Sequence, residues 1–297
     1  MPAPQSPPIL RIGPAGWLHK NWEGLVFPKP VPTGFHPLEF LADRFDTVEI
    51  SHSFHEFIRP EVGKLWATRV AHNPRFQFTA RLHRQFSHER ILNADDARRW
   101  SEGLLPMLAM GKLGCVLMQF PSAFRFTAEN KDFLIRVRRA FHQFPLVAEL
   151  RHESWTVPEA VGTLIDYHVG FCNIDQPESI RATKPTSLLT WRTGMVKLHG
   201  RVTGPGHNAF DDRGERTSGN SHLYSLDELS SWKTRLDRFL PFSQSVFVLF
   251  NNDVGGKAVV NAMQFRSIAT AEPHRLPRML QRTYRSELAV QPQLFAA

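Results

Sequence analysis

Residues 146–175 read LVAELRHESWTVPEAVGTLIDYHVGFCNID. A short apolar run, LVAELR (146–151), gives way to a segment of helical period, VPEAVGTLIDYH (157–168), and then to a second apolar run, VGFCNID (169–175). Strand, helix and strand in one short span form the unit of a parallel sheet, because parallel neighbours need a crossover and a helix is the usual one. The same alternation runs outward in both directions. Strands are predicted at ILRIG (9–13), DTVEIS (46–51), RFQFTAR (75–81), GCVLMQF (114–120), MVKLHG (195–200) and SVFVLFN (245–251), making eight in all. Helical patterns fall between them at 61–72, 94–110 (interrupted by Pro106), 128–143, 225–240 and 255–269. Ser225 with Glu228 forms a capping box, and Gly111 stops the 94–110 pattern.

Eight such strands predict one α/β domain, a TIM-type (β/α)8 barrel over residues 9–271. The Pro-rich start (1–8) is expected to be a disordered lead-in, and residues 272–297 a C-terminal extension with a weak amphipathic pattern. Two connections are irregular. The β6–β7 link carries Pro177 and Pro185 and holds TSLLTW (186–191), read as an extra short strand; residues 201–222 are polar and Gly-rich, the composition of a lid or a disordered insertion.

The composition of 42% apolar residues in 297 supports a sizeable core. The start of the chain has neither a basic region nor an apolar stretch, no run is long enough for a membrane span, and only Cys115 and Cys172 occur. A cytoplasmic protein without membrane attachment is expected. The formal charge of +8 favours anionic partners but is diffuse. Its densest cluster, Arg136, Arg138 and Arg139, lies opposite Phe133, Leu134, Val137 and Phe141 on one helix, which is the pattern of a solvated face, with a nucleic-acid site as the alternative.

Side chains alternate across a strand, and this places the polar residues. Glu49 shares a face with Thr47 and Ser51, opposite Val48 and Ile50; Glu149 and Arg151 oppose Ala148 and Leu150; Lys197 and His199 oppose Val196 and Leu198; Gln77, Thr79 and Arg81 oppose Phe76, Phe78 and Ala80. Each strand so divided has an apolar face for the helices and a mixed face for the barrel interior. Polar groups on the mixed face gather toward the carboxyl ends, where barrel active sites lie. The expected mouth contains Gly13, Glu49, Arg81, Gln119, Glu149, Arg151, Asp175, Lys197, His199 and Asn251, and both cysteines are expected on faces that meet helices. A purely structural ion-pair network is the competing explanation.

GPAGW (13–17) with Trp22 and Phe27-Pro28, FDTVEISHSF (45–54), SH (87–88), LGCVLMQFPSAF (113–124), AELRHESW (148–155), KLHGR (197–201) and FNND (250–253) with Asn261-Ala262 resemble, in order, the YecE-like proteins, the domain-of-unknown-function family numbered seventy-two. The resemblance implies a TIM-type barrel and no established reaction; likeness of that barrel to apurinic-site endonucleases and sugar isomerases implies nucleic-acid or sugar chemistry. The sequence departs from the family pattern at His55 (where Tyr is usual), Arg81 (Lys) and Lys197 (Arg), and the last two keep the positive charge.

These residues point to an enzyme, a hydrolase, lyase or isomerase using carboxylate and histidine acid–base chemistry on a small anionic, phosphorylated or sugar-like substrate. Glu49, Glu149, Asp175 and His199 are the candidate catalytic residues. Trp17, Arg81, His88, Gln119, Arg151, His152, Lys197 and Asn251 are the candidate binding residues. Phe54 and Trp155, with Trp17, offer stacking surfaces, and Gly255-Gly256 offers a helix amino terminus to an anion. No cofactor is expected. Glu49, Glu149 and Asp175 offer oxygen ligands for a single Mg or Mn, against which stand the charges of Arg81, Arg151 and Lys197. The alternative function is a nucleic-acid-binding protein or endonuclease-like phosphodiesterase, for which the charge, the loop and the mouth aromatics speak.

Overall fold

The structure, a computed structural model, describes residues 6–177, 181–201 and 221–288. The loop expected over most of 201–222, the first five residues of the lead-in and residues 289–297 lie outside the described residues. Eight strands occur in the expected order: β1 (Ile9–Pro14), β2 (Thr47–Ile50), β3 (Gln77–Arg81), β4 (Leu113–Gln119), β5 (Leu146–Glu149), β6 (Gly170–Asp175), β7 (Thr193–Leu198) and β8 (Ser245–Phe250). All their ladders are parallel, in the order β1-β8-β7-β6-β5-β4-β3-β2. The ring closes between β1 and β2 through a single bridge, Ala15 to Glu49, with the Gly16 N–H donating to the Glu49 carbonyl at 3.0 Å. Gly13 permits that approach: a Cβ there would lie 1.8 Å from the Thr47 carbonyl oxygen. The result is the TIM-type barrel that the alternation predicts.

The helices are α1 (Pro37–Ala42), α2 (Pro60–Arg69), α3 (Arg84–Ser87), α4 (Ala94–Glu102), α5 (Leu105–Ala109), α6 (Ala128–Ala140), α7 (Pro158–Asp166), α8 (Leu226–Asp237), α9 (Lys257–Thr270), α10 (Arg278–Thr283) and α11 (Arg285–Leu288). The 94–110 pattern divides into α4 and α5, with Pro106 in the first turn of α5, where its missing N–H leaves no bond unmade. On α6 the buried side is Phe133, Leu134, Ile135 and Val137, while Arg138 donates to the Tyr167 carbonyl at 3.0 Å and Arg136 stacks on Phe133. Among the described residues no helix is long and apolar enough to cross a membrane.

The capping box of α8 is present in both directions. Ser225 Oγ accepts from the Glu228 N–H, and Glu228 Oε2 accepts from the Ser225 N–H. Ser225→Ala is expected to lower stability by about 1 kcal/mol, the usual worth of such a cap. Urea denaturation with an unchanged slope checks this; a midpoint equal to that of the wild type counts against it.

The interior and the outer layer form separate apolar clusters. Cys115, Leu117, Val147, Cys172, Ile174, Met195, Phe247 and Leu249 fill the barrel, and the helices pack on Val48, Ile50, Phe78, Ala80, Val116, Ala148, Phe171, Val196, Val248 and their neighbours. The cysteines therefore point inward, correcting the expectation that they meet helices. Cys115 lies two and four residues before Leu117 and Gln119, on the same face. In β6 the apolar face misleads: Cys172 and Ile174 lie inside the barrel, and Asn173 and Asp175, on the other face with Phe171, point outward.

Asn173 also explains why 186–191 is not a strand. Its amide oxygen accepts from Leu188 N–H (2.8 Å) and Thr186 Oγ1 (2.7 Å), and its amide nitrogen donates to the Leu188 carbonyl (2.9 Å). One side chain supplies what a neighbouring strand would supply. Within the expected C-terminal extension, Leu276, Leu280, Tyr284 and Leu288 join the barrel's own core, so this part is built into the domain. Leu280 and Val26 pack over Gly256, and Tyr284 donates to the Gly255 carbonyl. Apolar side chains thus cover the amino terminus of α9, which the sequence offered to an anion.

Candidate active site at the mouth of the barrel

Above the apolar interior, inward residues of β2, β5 and β7 form a buried charged layer. Lys197 Nζ lies 2.7 Å from Glu49 Oε2 and 3.6 Å from Glu149 Oε2, and all three side chains are at most 1% exposed. Arg151 grips Glu149 Oε1 with Nε (2.9 Å) and Nη2 (2.6 Å). His199 Nε2 meets the same oxygen at 3.0 Å, and Asn251 Nδ2 lies 2.9 Å from His199 Nδ1. At the other end Ser51 Oγ donates to Glu49 Oε1 at 3.0 Å. A continuous chain therefore runs Ser51, Glu49, Lys197, Glu149, His199, Asn251, with two carboxylates set against Lys197 and Arg151.

The protonation of this chain follows from its contacts. Burial opposes a charge on Glu149, yet His199, Arg151 and Lys197, with the hydrogen bond from His199, hold its carboxyl well below the usual carboxylate range. Burial pushes His199 down to about 4 against the pull of Glu149, with Arg151 and Lys197 adding to the fall. Near neutral pH the ring is uncharged, so it acts on Glu149 as a hydrogen-bond donor, and the charge on the carboxylate is balanced by Arg151 and Lys197. An ionised carboxylate only accepts, so Nε2 carries the proton. Nδ1 is then an acceptor, and Asn251 must turn its NH2 toward it.

Over the ends of β1, β2, β3 and β8 opens a cavity of about 310 Å³. Its wall includes Trp17, His19, Ser51, His55, Arg81, Asn251 and Asp253; Glu49, Glu149, Lys197 and His199 lie beneath and do not line it. Arg81 places its guanidinium carbon 4.0 Å from the centre of the Phe54 ring. His19 Nδ1 is 2.9 Å from Asp253 Oδ2, and its Nε2 is 3.0 Å from the Ala15 carbonyl. The Trp22 indole donates to the Asp253 carbonyl at 2.7 Å, and the His19 and Trp22 rings pack 4.5 Å apart. Gly16, at φ +80°, brings this loop close: a Cβ would stand 2.8 Å from His19 Nε2.

The structure brings together Glu49, Glu149, Arg151, Lys197, His199 and Asn251, with Arg81 and Trp17 on the cavity wall. Gln119 is the register partner of Glu149, and its buried Oε1 has no hydrogen-bond partner. His88 packs edge-on against Phe54 at 5.0 Å; burial, then the charges of Arg81, Arg151 and Arg84, push it down to about 4. Three expectations part from this group. Asp175 faces the helices, accepting from the Trp232 indole of α8 (3.0 Å) and from Arg201 Nε (2.9 Å). Glu49, Glu149 and Asp175 therefore do not converge on one cation, and among the described residues no three His, Cys, Asp or Glu side chains are grouped to hold a metal. His152 begins the short helix Glu153–Thr156, its Nδ1 accepting from the Ser154 N–H. Trp155 is sealed against Phe124, with parallel rings 5.4 Å apart.

Sequence reasoning missed His19 and Asp253 as a pair and left His55 without a role. Alternation placed Ser51 with Glu49, the one available signal for it; the others sit on loops beyond the reach of strand periodicity.

A family model described as a protein of unknown function, DUF72, matches residues 11–285. The UPF0759 protein YunF of Bacillus subtilis (strain 168) is 26% identical over 285 residues, covering 92% of this chain and 99% of that protein. Among solved structures, a DUF72 family protein from Enterococcus faecalis V583 superposes with a TM-score of 0.76 at 19% identity over 91% of this chain and 100% of that one. Another from Thermotoga maritima MSB8 gives 0.71 at 22% over 88% and 99%. At these identities the likeness establishes a shared barrel.

Proposed function

The chain belongs to the DUF72 family of proteins of unknown function, and from that premise we propose that it is an enzyme, a hydrolase, lyase or isomerase, acting on a small anionic substrate held in the mouth cavity. Arg81 anchors the negative group, and His19, held between Asp253 and the Ala15 carbonyl, shapes the wall beside it. The observation that carries this reading is the cavity of about 310 Å³ at the carboxyl ends of the strands with the Arg81 guanidinium on its wall. That volume is near the lower end for small-molecule sites. Nearby, burial first and then the charges of Arg81, Arg151 and Arg84 push His88 down to about 4.

Glu149 and His199 take a different part from the one expected of them. An enclosed carboxylate held this low is a poor proton acceptor, and it has no proton to give near neutral pH. Glu149 neutralises Arg151 and Lys197, and His199 positions Asn251. The His19–Asp253 pair reaches the cavity wall, with the second ring nitrogen of His19 on the Ala15 carbonyl. The nucleic-acid alternative draws less support: Arg136 and Arg138 are engaged on α6, and a cavity of this size suits a single small ligand.

Inorganic phosphate is the direct probe. Titration calorimetry is expected to show binding that Arg81→Gln weakens about tenfold or more, since a charge-assisted hydrogen bond is worth roughly 1.5–3 kcal/mol. Equal affinity in the two proteins, both folded by their melting profiles, removes the assignment of Arg81.

A further inference from the structure

Two histidines outside the buried charged layer begin short helical turns at the mouth, each with a ring nitrogen as the cap. His83 Nδ1 accepts from the Gln85 N–H at 3.2 Å at the start of α3. Its other nitrogen, Nε2, lies 3.0 Å from the carbonyl oxygen of His55, a residue of the cavity wall, and a carbonyl only accepts. Nε2 therefore carries the proton and Nδ1 is bare, which is the neutral tautomer the cap requires. One ring thus ties the loop after β3 to the loop after β2. His152 repeats the arrangement after β5. Its Nδ1 accepts from the Ser154 N–H at 3.2 Å, so the Ser154 hydroxyl, 2.9 Å away, also donates to it, and Ser154 Oγ in turn accepts from the Phe126 N–H at 2.8 Å. The loop after β5 is thereby tied to the loop after β4.

Both caps need a bare Nδ1. A proton there would set an N–H against the N–H of Gln85 or Ser154, a donor facing a donor, and would bring positive charge to the first turn of a helix, where the backbone dipoles disfavour it. We infer that His83 and His152 form an acid-sensitive latch: at neutral pH they fasten the loops after β2, β3, β4 and β5 around the mouth, and in mild acid protonation releases both caps and loosens those loops. The surroundings of each ring favour its uncharged form. Burial lowers the proton affinity of His83; the His55 carbonyl, Glu89 and Asp96 oppose this, and Arg84 adds to it. The ring also packs edge-on against Phe57, with centres 4.7 Å apart. Burial likewise lowers His152, followed by Arg125 of the loop after β4, with Glu153 opposing and Arg181 of the β6–β7 connection adding. In an opened loop each ring titrates near 6.5. Opening therefore takes up a proton, and it becomes easier as pH falls below that value. The latch is independent of whether the mouth takes an anion.

Amide hydrogen exchange read residue by residue tests the latch, with the intrinsic exchange rate at each pH divided out. Protection of the Gln85 and Ser154 amides is expected to fall about fivefold or more between about pH 7.5 and about pH 5.5. Asn is a favoured cap that accepts through its side-chain oxygen and does not titrate. His83→Asn should therefore flatten the pH dependence at Gln85 while leaving that at Ser154 in place, and His152→Asn should do the reverse. Where either variant fails to fold by its melting profile, His83→Asp or His152→Asp takes its place, since a carboxylate accepts in the same way and stays ionised over this range. Equal protection of the two amides at both pH values in the wild-type protein overturns the latch. A fall that persists at Gln85 in the His83 variant, or at Ser154 in the His152 variant, overturns it as well and assigns the change to general loosening of the fold in acid.

Discussion

Glu149→Gln is expected to lower stability by about 3–5 kcal/mol, the range for removing one partner from a buried ion pair. The carboxylate is fully buried and receives Arg151 twice, His199 once and Lys197 at 3.6 Å. An amide has no charge to offset either cation, and its NH2 would confront groups that can only donate. The partners cannot leave: Lys197 is 1% exposed and Arg151 8%. Chemical denaturation with an unchanged slope measures the loss; a change below about 1 kcal/mol would mean that water reaches the pair, as it does for exposed ion pairs. Lost activity in this variant is therefore no evidence that Glu149 moves a proton. Arg81, on the cavity wall, is the position at which binding can be separated from folding.

The contrast between Glu149 and Asp175 shows where sequence reading succeeds and where it stops. In β5 one face is Leu146, Ala148 and Leu150, so Glu149 and Arg151 can only be inward, and the structure agrees. Alternation gives relative faces, and a face is identified as outer by being the apolar one. In β6 that rule misleads, because the apolar face of Cys172 and Ile174 lies inside the barrel, while Phe171, with Asn173 and Asp175, faces the helices. Alternation therefore sets Asp175 on the mixed face and at the mouth, the opposite of its actual side. Its actual partner, the Trp232 indole, lies on α8, beyond any local pattern. The cavity wall was less legible still, because His19 and Asp253 come from loops at opposite ends of the chain and meet only when β1 and β8 pair. The ring of strands is therefore readable from periodicity, while the pocket depends on how the barrel closes.

Acid is expected to weaken the fold from the neutral side, well above the range where carboxylates ordinarily titrate. His199 and His88 are both pushed down to about 4 in the folded protein, first by burial and then by neighbouring cations, with Glu149 opposing at each. In the unfolded chain a histidine titrates near 6.5. Between these values the unfolded state binds protons that the folded state refuses, so stability falls as pH drops from about 6.5 toward 4. Each such histidine contributes a slope of about 1.4 kcal/mol per pH unit in the middle of that window. For fully buried His199 the whole step is on the order of 3 kcal/mol; His88 adds less because solvent partly reaches it. His36, His83, His152 and His274 are lowered in the same direction, chiefly by burial, and steepen the decline. Glu149 acts later. Its folded value is depressed, so the stability it contributes is present above about 4.5 and is lost as pH falls below that. Melting temperatures from pH 8 to pH 4 should therefore be flat above about 7 and fall steadily below 6.5. His199→Asn starts from a lower plateau, since Glu149 loses a donor, but its slope between pH 6 and 5 should be shallower by about one proton. An unchanged slope in that variant would mean that His199 is already protonated in the fold, and the hydrogen-bond direction assigned to Asn251 would reverse with it.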